Sequence, residues 1–357
     1  MAGEFINPLQ QFLDSKAQGF CILDGGLATE CERFVKLDNK LWSAALLLSE
    51  QGKEIIEDAH LRYYRAGADV GISASYQASI KGIMDVAHCD EEEALDVIKS
   101  SARILNSARA KAWSEIQRSG NRENRLRPLV CASIGCFGAA LADGSEYKPE
   151  YKDRTSVADL IEWHRPRMEC LASLLSEGVV DCFACETIPC IIEVEALLRL
   201  IASISTSSLR IPFWIAVTMR DGEHLRSGET FRLCLETILK LASELTISNQ
   251  IIAIGVNCTN PVYVEAALGI IKEVFQSGSG KNVNYETIVY PNSGETWISD
   301  SHRWLENSKT PDESFAEYAN NWHHLGARII GGCCRTSPDT IKKIRENMSS
   351  QRVYDIS

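Results

Sequence analysis

Gly331-Gly332-Cys333-Cys334-Arg335 is the stretch that decides how this chain folds and what chemistry it can carry. It follows a short apolar run, residues 327–330, and precedes Thr336-Ser337-Pro338, which is typical of a helix start. Successive side chains of a strand face opposite sides, so the two cysteines cannot both enter a core from a strand. Where a strand stops and the chain turns, neighbouring side chains can converge on one ion, and paired glycines allow such a turn.

The two adjacent cysteines lack a partner, because a disulfide between neighbours would be strained. Cys258, in Gly255-Val256-Asn257-Cys258, is the obvious candidate, since it also ends an apolar run. Three thiolates that leave one position open are typical of a working zinc site, whereas a structural site uses four protein ligands. The sequence therefore predicts Zn²⁺ on Cys258, Cys333 and Cys334. Core thiols, or a redox pair of Cys333 and Cys334, are the alternatives.

Composition limits the class of protein. The chain has 357 residues, of which 45% are hydrophobic and 24% charged, as expected for a globular protein. A net charge of −11 argues against a nucleic-acid partner, which would need a basic face. Residues 1–18 contain no secretory signal, and no apolar run is long enough to span a bilayer. Thirteen cysteines are therefore expected to be reduced thiols in a cytoplasmic protein with no membrane partner.

The order of elements predicts the fold. Short apolar segments alternate with helical periodicity along the whole chain, and no Gly-rich nucleotide fingerprint follows the first segment, which argues against an open doubly wound sheet. We expect one (β/α)8 TIM barrel domain over residues 1–357, with an exposed insertion near 118–127. A long loop is expected over 135–154, a helix over 42–48 and another over 261–275. The eight predicted strands are 20–23, 68–74, 128–134, 181–185, 213–218, 251–256, 287–290 and 327–330.

Barrel enzymes place their catalytic residues at the carboxyl ends of the strands. In this chain those ends carry acidic, amide, aromatic and thiol side chains: Asp24, Tyr76, Glu186, Asn257, Cys258, Asn292, Glu295, Cys333 and Cys334. Cysteines after strands six and eight would flank strand seven and so approach each other around the rim. Cys136, after strand three, is left out of the metal set because that strand lies across the barrel.

The predicted ligand set indicates a reaction class. Zinc held by three thiolates is electron-rich and a weak Lewis acid, so it is poorly suited to making hydroxide from water. It is well suited to binding a substrate thiol and keeping it as a nucleophilic thiolate. Thiol alkylation is therefore the natural chemistry, with no catalytic residue beyond the zinc-activated substrate thiolate.

The remaining strand-end residues are substrate-binding candidates. Asp24 and Glu186 can hold the ammonium of an amino-acid thiol, and the N–H groups of Gly25 and Gly26 can receive its carboxylate. Trp42 and Tyr76 can attract a cationic methyl donor. Each has a structural alternative: a loop cap for Asp24, a helix cap for Glu186, core packing for Trp42 and rim packing for Tyr76. Two strand-end amides, Asn257 and Asn292, complete the candidate set.

Several motifs together resemble the homocysteine S-methyltransferase family. They are Asp24-Gly25-Gly26, Gly255-Val256-Asn257-Cys258, Gly331-Gly332-Cys333-Cys334-Arg335, Leu41-Trp42-Ser43, Ser75-Tyr76-Gln77-Ala78, the segment 141–147, Cys185-Glu186-Thr187-Ile188-Pro189 and Tyr290-Pro291-Asn292-Ser293-Gly294-Glu295. The likeness covers about residues 20–344 and is greater to the plant and microbial branch that uses S-methylmethionine than to the betaine-using branch. The three-cysteine set is the most specific part of it.

The resemblance implies a (β/α)8 barrel with zinc on Cys258, Cys333 and Cys334. It implies that Asp24 and Glu186 bind the homocysteine amine, with Gly25 and Gly26 at the carboxylate, and that methyl transfer from S-methylmethionine makes methionine. S-adenosylmethionine or betaine as donor and selenocysteine as acceptor remain alternatives. A dithiol redox protein and a zinc-stabilised amino-acid-binding barrel are the alternatives from other classes. No pattern in the sequence sets the oligomeric state.

Overall fold

Eight parallel strands form the central sheet of the protein. A computed structural model describes residues 7–15, 19–119, 125–206, 208–277, 285–295, 297–298, 303–304 and 309–355, which are called the described residues below. The sheet strands are β1 Cys21–Ile22, β2 Val70–Ile72, β3 Leu129–Gly135, β4 Cys182–Ile188, β5 Phe213–Val217, β6 Ile251–Asn257, β7 Glu286–Tyr290 and β10 Ile329–Ile330. A separate antiparallel pair, β8 Trp297–Ile298 and β9 Arg303–Trp304, lies between β7 and β10 in the chain.

The strand order closes the sheet into a barrel. Neighbours follow the order β1-β10-β7-β6-β5-β4-β3-β2. A parallel bridge between Leu23 and Val70 joins the two end strands. The predicted (β/α)8 TIM barrel is therefore confirmed, and β7 lies between β6 and β10 as expected.

Helices cover the outside of the barrel. They are α1 Gln10–Leu13, α2 Leu27–Cys31, α3 Glu50–Ala66, α4 Ile80–Ala87, α5 Glu91–Arg118, α6 Phe137–Leu141, α7 Val157–Ser176, α8 Ile191–Ile204, α9 Phe231–Glu244, α10 Val264–Gln276, α11 Asp312–His324 and α12 Pro338–Asp355. Short 3-10 helices span Trp42–Leu48, Glu150–Asp153, Ser248–Gln250 and Pro261–Tyr263. Among the described residues, none of these helices combines the length and apolar character needed to cross a membrane.

Local sequence explains where the elements begin and how they pack. Every residue of β3, β4, β5 and β6 is buried, because parallel barrel strands have side chains inside the barrel on one face and helices on the other. The long helix α5 begins with a capping box in which Asp90 and Glu93 satisfy each other's backbone N–H groups. Helix α3 ends at Gly67, whose φ of 117° favours glycine.

Two apolar layers hold the barrel together. An inner cluster fills it and includes Cys21, Cys131, Cys182 and Trp214, together with side chains of α1. A larger outer cluster packs the strands against the helices. Five cysteines outside the sulfur-rich strand ends are buried in one layer or the other: Cys21, Cys131, Cys170, Cys182 and Cys234.

Buried ion pairs brace the amino end of the barrel. Asp69 directly precedes β2, and its Oδ2 accepts the Ile22 N–H at 2.9 Å and a hydrogen bond from Arg345. Asp181 directly precedes β4, and its Oδ2 accepts the Val130 N–H at 2.8 Å and Arg109 Nη1 at 2.6 Å. In each case one carboxylate oxygen links the backbone of a neighbouring strand to an arginine of an outer helix.

The structure differs from the sequence expectations in three segments. Residues 135–154 are not one loop, because α6 and the 3-10 turn Glu150–Asp153 form within them. The helix expected over 42–48 is a 3-10 helix. The helix expected over 261–275 starts as a 3-10 turn and becomes α-helical only at Val264. In this last segment, Pro261 sets a helical φ at the first position but does not distinguish an α-helix from a 3-10 helix.

The predicted insertion near 118–127 lies partly outside the described residues, which resume at Arg125. Ser119 and Arg127 are exposed, whereas Arg125 is half-buried. Its Nη2 donates to the Ala68 carbonyl at 3.0 Å. An exposed insertion over the intervening residues 120–124 stays a prediction.

Candidate metal and substrate site

Three cysteine sulfurs meet at the carboxyl end of the barrel. Cys258 follows β6, and Cys333 and Cys334 follow β10. Their Sγ atoms all lie within 4.8 Å of one another, and no other such group of ligand atoms is found among the described residues. The Cys258 and Cys334 sulfurs are 3.6 Å apart. Cys136 does not belong to the group, as expected.

The sulfur geometry fits a shared metal ion. At 3.6 Å the Cys258–Cys334 separation is far longer than a disulfide bond of about 2 Å, and all thirteen cysteines are free. Two sulfurs on one tetrahedral zinc, each about 2.3 Å from the ion, would be about 3.8 Å apart. Hydrogen bonds from the thiols of Cys333 and Cys334 lower the pKa of Cys258, so thiolate character is favoured there.

The backbone that carries these cysteines is tightly constrained. Cys258 has a φ of 47° and Arg335 a φ of 65°, values that non-glycine residues rarely adopt. Such strain persists only where surrounding contacts enforce it, and it is common at functional sites. The Cys333 N–H donates to the Pro291 carbonyl at 2.8 Å, and the Cys334 carbonyl accepts the Ser293 N–H at 3.0 Å.

Gly331 and Gly332 are required by close packing rather than by positive φ. A Cβ on Gly331 would lie 2.5 Å from Leu23 Cβ. A Cβ on Gly332 would overlap the side chain of Thr336. The Gly332 N–H donates to the Asp24 carbonyl at 3.1 Å. The two glycines therefore let the cysteine turn pack directly against the turn that carries Asp24.

Asp24 and Glu186 are buried carboxylates at the same mouth. Asp24 is 3% exposed, and its Oδ2 accepts the Ile72 N–H at 2.8 Å. Glu186 is 6% exposed and accepts a hydrogen bond from the Ser133 hydroxyl. Among the described residues, neither carboxylate has an ion-pair partner. A ligand ammonium would supply the missing positive charge.

Burial shifts the titration of both carboxylates. Desolvation raises the pKa of Asp24 well above its usual range, although the Ile72 N–H bond opposes it. Desolvation also raises the pKa of Glu186 to about 7, against the hydrogen bonds from Ser133 and Tyr290. The negative charge of Glu186 adds to the upward shift of the Asp24 pKa.

Gly25 and Gly26 lie next to the cysteine turn but differ in what their N–H groups do. The Gly26 N–H donates to the Thr336 carbonyl at 3.2 Å. The Gly25 N–H has no acceptor within the described part of the chain. The Tyr63 hydroxyl lies 3.0 Å from both the Gly26 and the Thr336 carbonyls. Tyr63 thus fixes the two turns relative to each other, a contact that sequence periodicity did not reveal.

The two predicted asparagines use their amides within the protein. Asn257 is fully buried, accepts the Thr187 N–H at 2.7 Å and donates to the Thr187 hydroxyl at 2.8 Å. Thr187 has a φ of 57°, so Asn257 supports a strained turn directly after Glu186. Asn292 Oδ1 accepts the Gly294 N–H at 2.9 Å. Both amides order the backbone of the mouth.

Comparisons with known proteins identify the family. The profile of the family described as homocysteine S-methyltransferase matches residues 21–348. This chain belongs to the homocysteine S-methyltransferase family. It is 39% identical to homocysteine S-methyltransferase YbgG of Bacillus subtilis (strain 168), over 95% of this chain and 97% of that protein. It is 36% identical to a selenocysteine Se-methyltransferase of Brassica oleracea var. italica, over 94% of this chain and 90% of that protein.

A solved structure is similar over nearly the whole chain. The metallated form of the homocysteine methyltransferase MmuM from Escherichia coli has a TM-score of 0.75 and 35% sequence identity. The match covers 95% of this chain and 99% of that chain. Family membership makes the protein a methyltransferase, and the resemblance expected from its motifs is confirmed.

The two aromatic candidates, Trp42 and Tyr76, have different surroundings. Trp42 is half-buried and has a φ of 48°. Tyr76 is half-buried, and its carbonyl lies 3.5 Å from Arg167 Nη1. Burial raises the pKa of Tyr76, and the nearby charge of Cys258 acts in the same direction. The backbone of Tyr76 also packs against Gly135 at the end of β3, where a Cβ on the glycine would overlap the Tyr76 carbonyl and ring.

Sequence reasoning missed three side chains beside Cys258. The Tyr147 hydroxyl is 3.5 Å from Cys258 Sγ. The Arg226 guanidinium lies over the Tyr147 ring, 5.0 Å from its centroid. Burial raises the pKa of Glu146 to about 7, and the charge of Cys258 contributes. Segment 141–147 matches the family, but neither periodicity nor metal-ligand spacing signals that a loop residue faces the cluster.

Proposed function

We propose that this chain transfers a methyl group from S-methylmethionine to the sulfur of L-homocysteine, with zinc held by Cys258, Cys333 and Cys334. The carbon–sulfur bond of the sulfonium breaks, a bond from that carbon to the homocysteine sulfur forms, and two methionines result. The thiol proton leaves to solvent, and the sulfonium charge disappears. The observation that carries the proposal is the convergence of three sulfurs beside two buried carboxylates that no protein cation balances.

Zinc fits the donor set because three thiolates leave one tetrahedral position open. When bound, zinc supplies a positive centre that binds the substrate sulfur at that position and keeps it as a thiolate near neutral pH. The strained φ of Cys258 and the turn after β10 hold the three ligands in place before any ion binds. Preorganised ligands lose less conformational entropy on binding the ion.

The chain's own residues orient homocysteine. Asp24 and Glu186 bind its ammonium, because both are buried and acidic and neither has an ion-pair partner among the described residues. The free Gly25 N–H receives its carboxylate. The Gly26 N–H already bonds Thr336, so in this proposal Gly26 shapes the turn. Asn257 acts as a positioning residue that holds the turn after Glu186 through Thr187.

The mouth also favours the transition state over the bound sulfonium. A sulfonium cation loses its charge as the methyl group moves, so a poorly hydrated site destabilises the reactant more than the transition state. Tyr76 and Tyr147 border the sulfur cluster and keep water from it. Trp42 and Asn292 line the mouth in this proposal, where Asn292 orders the turn that precedes Glu295.

Two wider features follow from the proposal. The thirteen free cysteines, three of them ligands, need a reducing compartment, for which we propose the cytoplasm. The reaction class belongs to methionine synthesis. Selenocysteine is a second candidate acceptor, favoured by the relative whose name carries that activity, because a selenolate is also a soft ligand for the same thiolate-bound ion.

A methyl-donor panel combined with metal analysis tests the proposal. The zinc-loaded chain is incubated with homocysteine and, in turn, S-methylmethionine, S-adenosylmethionine and betaine, and methionine is quantified. We expect one zinc per chain and the highest kcat/KM with S-methylmethionine. Zinc with no turnover on any donor would favour an amino-acid-binding barrel. No stoichiometric zinc, with behaviour that depends on reductant, would favour a dithiol redox protein.

A further inference from the structure

Side chains from two loops lie beside Cys258 of the sulfur cluster. Glu146 and Tyr147 lie in the loop after β3, and Arg226 lies in the loop after β5. Tyr147 contacts Cys258 through its hydroxyl at 3.5 Å, and Arg226 stacks on the Tyr147 ring at 5.0 Å. Glu146 directly precedes Tyr147 in the chain, and its Oε2 is buried without a hydrogen-bond partner among the described residues. The three residues are called the Glu146–Arg226 group below.

Two buried polar atoms of this group have no hydrogen-bond partner among the described residues. Glu146 Oε2 and Arg226 Nε are buried and make no hydrogen bond within the described part of the protein. Although the two side chains carry opposite charges, they form no ion pair with each other among the described residues. Buried charged groups are normally hydrogen-bonded, and each one that is not needs an explanation. A ligand that carries both a cation and an anion would satisfy both at once.

The charges specify the class of ligand. A guanidinium binds a carboxylate through paired N–H donors. A buried carboxylate beside the faces of Tyr76 and Tyr147 suits a sulfonium or ammonium cation. The donor's methyl group must also reach the homocysteine sulfur, and Tyr147 already touches one of the three sulfur ligands. Asp24 directly follows the Leu23 bridge after β1, Glu186 lies within β4, and both are assigned to homocysteine, so a second amino acid needs separate charged partners.

We propose that Glu146, Tyr147 and Arg226 form the binding site for the methyl donor, and that the donor is an α-amino acid whose side chain ends in a sulfonium. The donor carboxylate pairs with Arg226, and the cationic part of the donor lies between Glu146 and the tyrosine rings. This inference rests on the proposed function, because it assigns the second substrate of the same site. It predicts that a donor without a carboxylate is used poorly.

The test changes the residue and the ligand together. The Arg226→Gln and Glu146→Gln variants are assayed with S-methylmethionine and with its decarboxylated analogue, 3-aminopropyl dimethylsulfonium. We expect each variant to raise the KM for S-methylmethionine by about 10- to 100-fold, the loss of one charge-assisted contact, with zinc content and the KM for homocysteine unchanged. Arg226→Gln should also abolish the preference of the wild type for the donor that has a carboxylate.

Matched controls come from the same two loops. Arg220 is on the Arg226 loop but pairs with Asp221 at 3.1 Å, with 48% of its side chain exposed. Glu150 follows Glu146 in the chain, pairs with Arg154 at 3.6 Å and is 79% exposed. Arg220→Gln and Glu150→Gln should leave both KM values within about twofold, because solvent-exposed ion pairs contribute little.

A calorimetric titration separates failure of this inference from failure of the proposed function. S-methylmethionine is titrated into the zinc-loaded protein in the absence of homocysteine, so binding is measured without turnover. Wild-type binding that weakens at least about tenfold in both variants supports the assignment even if no methyl transfer occurs. The assignment would be overturned if the wild type did not bind S-methylmethionine. It would also be overturned if Arg226→Gln and Glu146→Gln changed neither the affinity for S-methylmethionine nor its KM.

Discussion

Carboxylates at the two ends of the barrel differ in whether the protein supplies a positive charge to pair with them. At the amino end, Asp69 and Asp181 are each bonded to a backbone N–H and to an arginine. At the carboxyl end, Asp24 and Glu186 are buried but have no ion-pair partner among the described residues. The amino end therefore has charge complementarity of its own, whereas the mouth lacks it until a ligand arrives.

This difference separates stability from function. A buried carboxylate with its partners in place holds strands in register, and removing one partner is costly. A buried carboxylate without a cation raises the free energy of the folded protein, and such a group persists where binding requires it. Backbone strain is also found at the mouth, where Cys258 and Thr187 have positive φ values. Changes at the two ends should therefore have different consequences.

Loss of a sulfur ligand should produce the largest effect and should be confined to the mouth. In Cys333→Ser a hydroxyl replaces the thiolate, so zinc retention and methyl transfer should fall below detection while the circular dichroism spectrum is unchanged. Metal analysis and a methionine assay measure both. Cys136→Ser is the matched control: a buried cysteine outside the cluster, it should keep zinc and turnover. A Cys333→Ser variant with full zinc and activity would disprove the ligand assignment.

The next largest effect is expected at the amino end. Asp69→Asn keeps an acceptor for the Ile22 N–H but removes the negative charge that faces Arg345 and Arg125. Urea denaturation should show a loss of roughly 3 kcal/mol, because uncompensated charges remain. The KM for homocysteine should not change. The exposed pair of Lys81 and Asp85 offers a control, and Asp85→Asn should alter stability little. A KM that rises with the stability loss would mean that the two ends are coupled.

Neutralising Glu186 should affect binding instead. Glu186→Gln keeps the size of the side chain and its hydrogen bond with Ser133 but removes the charge that faces the homocysteine ammonium. The KM for homocysteine should rise about 30-fold, or roughly 2 kcal/mol, while the donor KM remains as in the wild type. Steady-state kinetics with each substrate varied in turn measure both values. An unchanged KM for homocysteine would show that Glu186 does not bind the homocysteine ammonium.

The same variant should change how stability depends on pH. Burial raises the pKa of Glu186 from 4.5 to about 7 in the folded protein, so between these values the folded state binds more protons than the unfolded state. Wild-type stability should therefore fall as pH rises through this range, and Glu186→Gln should lack that contribution. From about pH 5.5 to about pH 7.5, the stability of the variant relative to the wild type should increase by roughly 2 kcal/mol. Denaturation of both proteins at several pH values, zinc-loaded and without substrate, provides the comparison. If the two curves of stability against pH were parallel, the raised pKa of Glu186 would not be the cause of the pH dependence.

Sequence reasoning predicted the features that depend on local pattern. Fully apolar strands and the positions of Cys258, Cys333 and Cys334 at strand ends were enough to predict the barrel and the convergence of the sulfurs, because parallel strands end at one face. The capping box of Asp90 and Glu93 at the start of α5 is another feature that depends on local pattern alone.

Features that depend on how loops fold could not be predicted in the same way. The contact of Tyr147 with Cys258, the stacking of Arg226 on Tyr147 and the Tyr63 hydroxyl between two turns join residues far apart in the chain. No periodicity encodes such contacts. The Asn257 amide was predicted at the mouth, but only coordinates reveal that it bonds Thr187. Helix α6 is five residues long, too short to produce a periodic signal.

X-ray absorption at the zinc edge tests the central claim most directly, because it counts the sulfur atoms around the ion. The zinc-loaded chain should have three sulfurs at about 2.3 Å and one oxygen or nitrogen, and homocysteine should replace that light atom with a fourth sulfur. A site with four protein ligands that does not change when homocysteine is added would contradict the account.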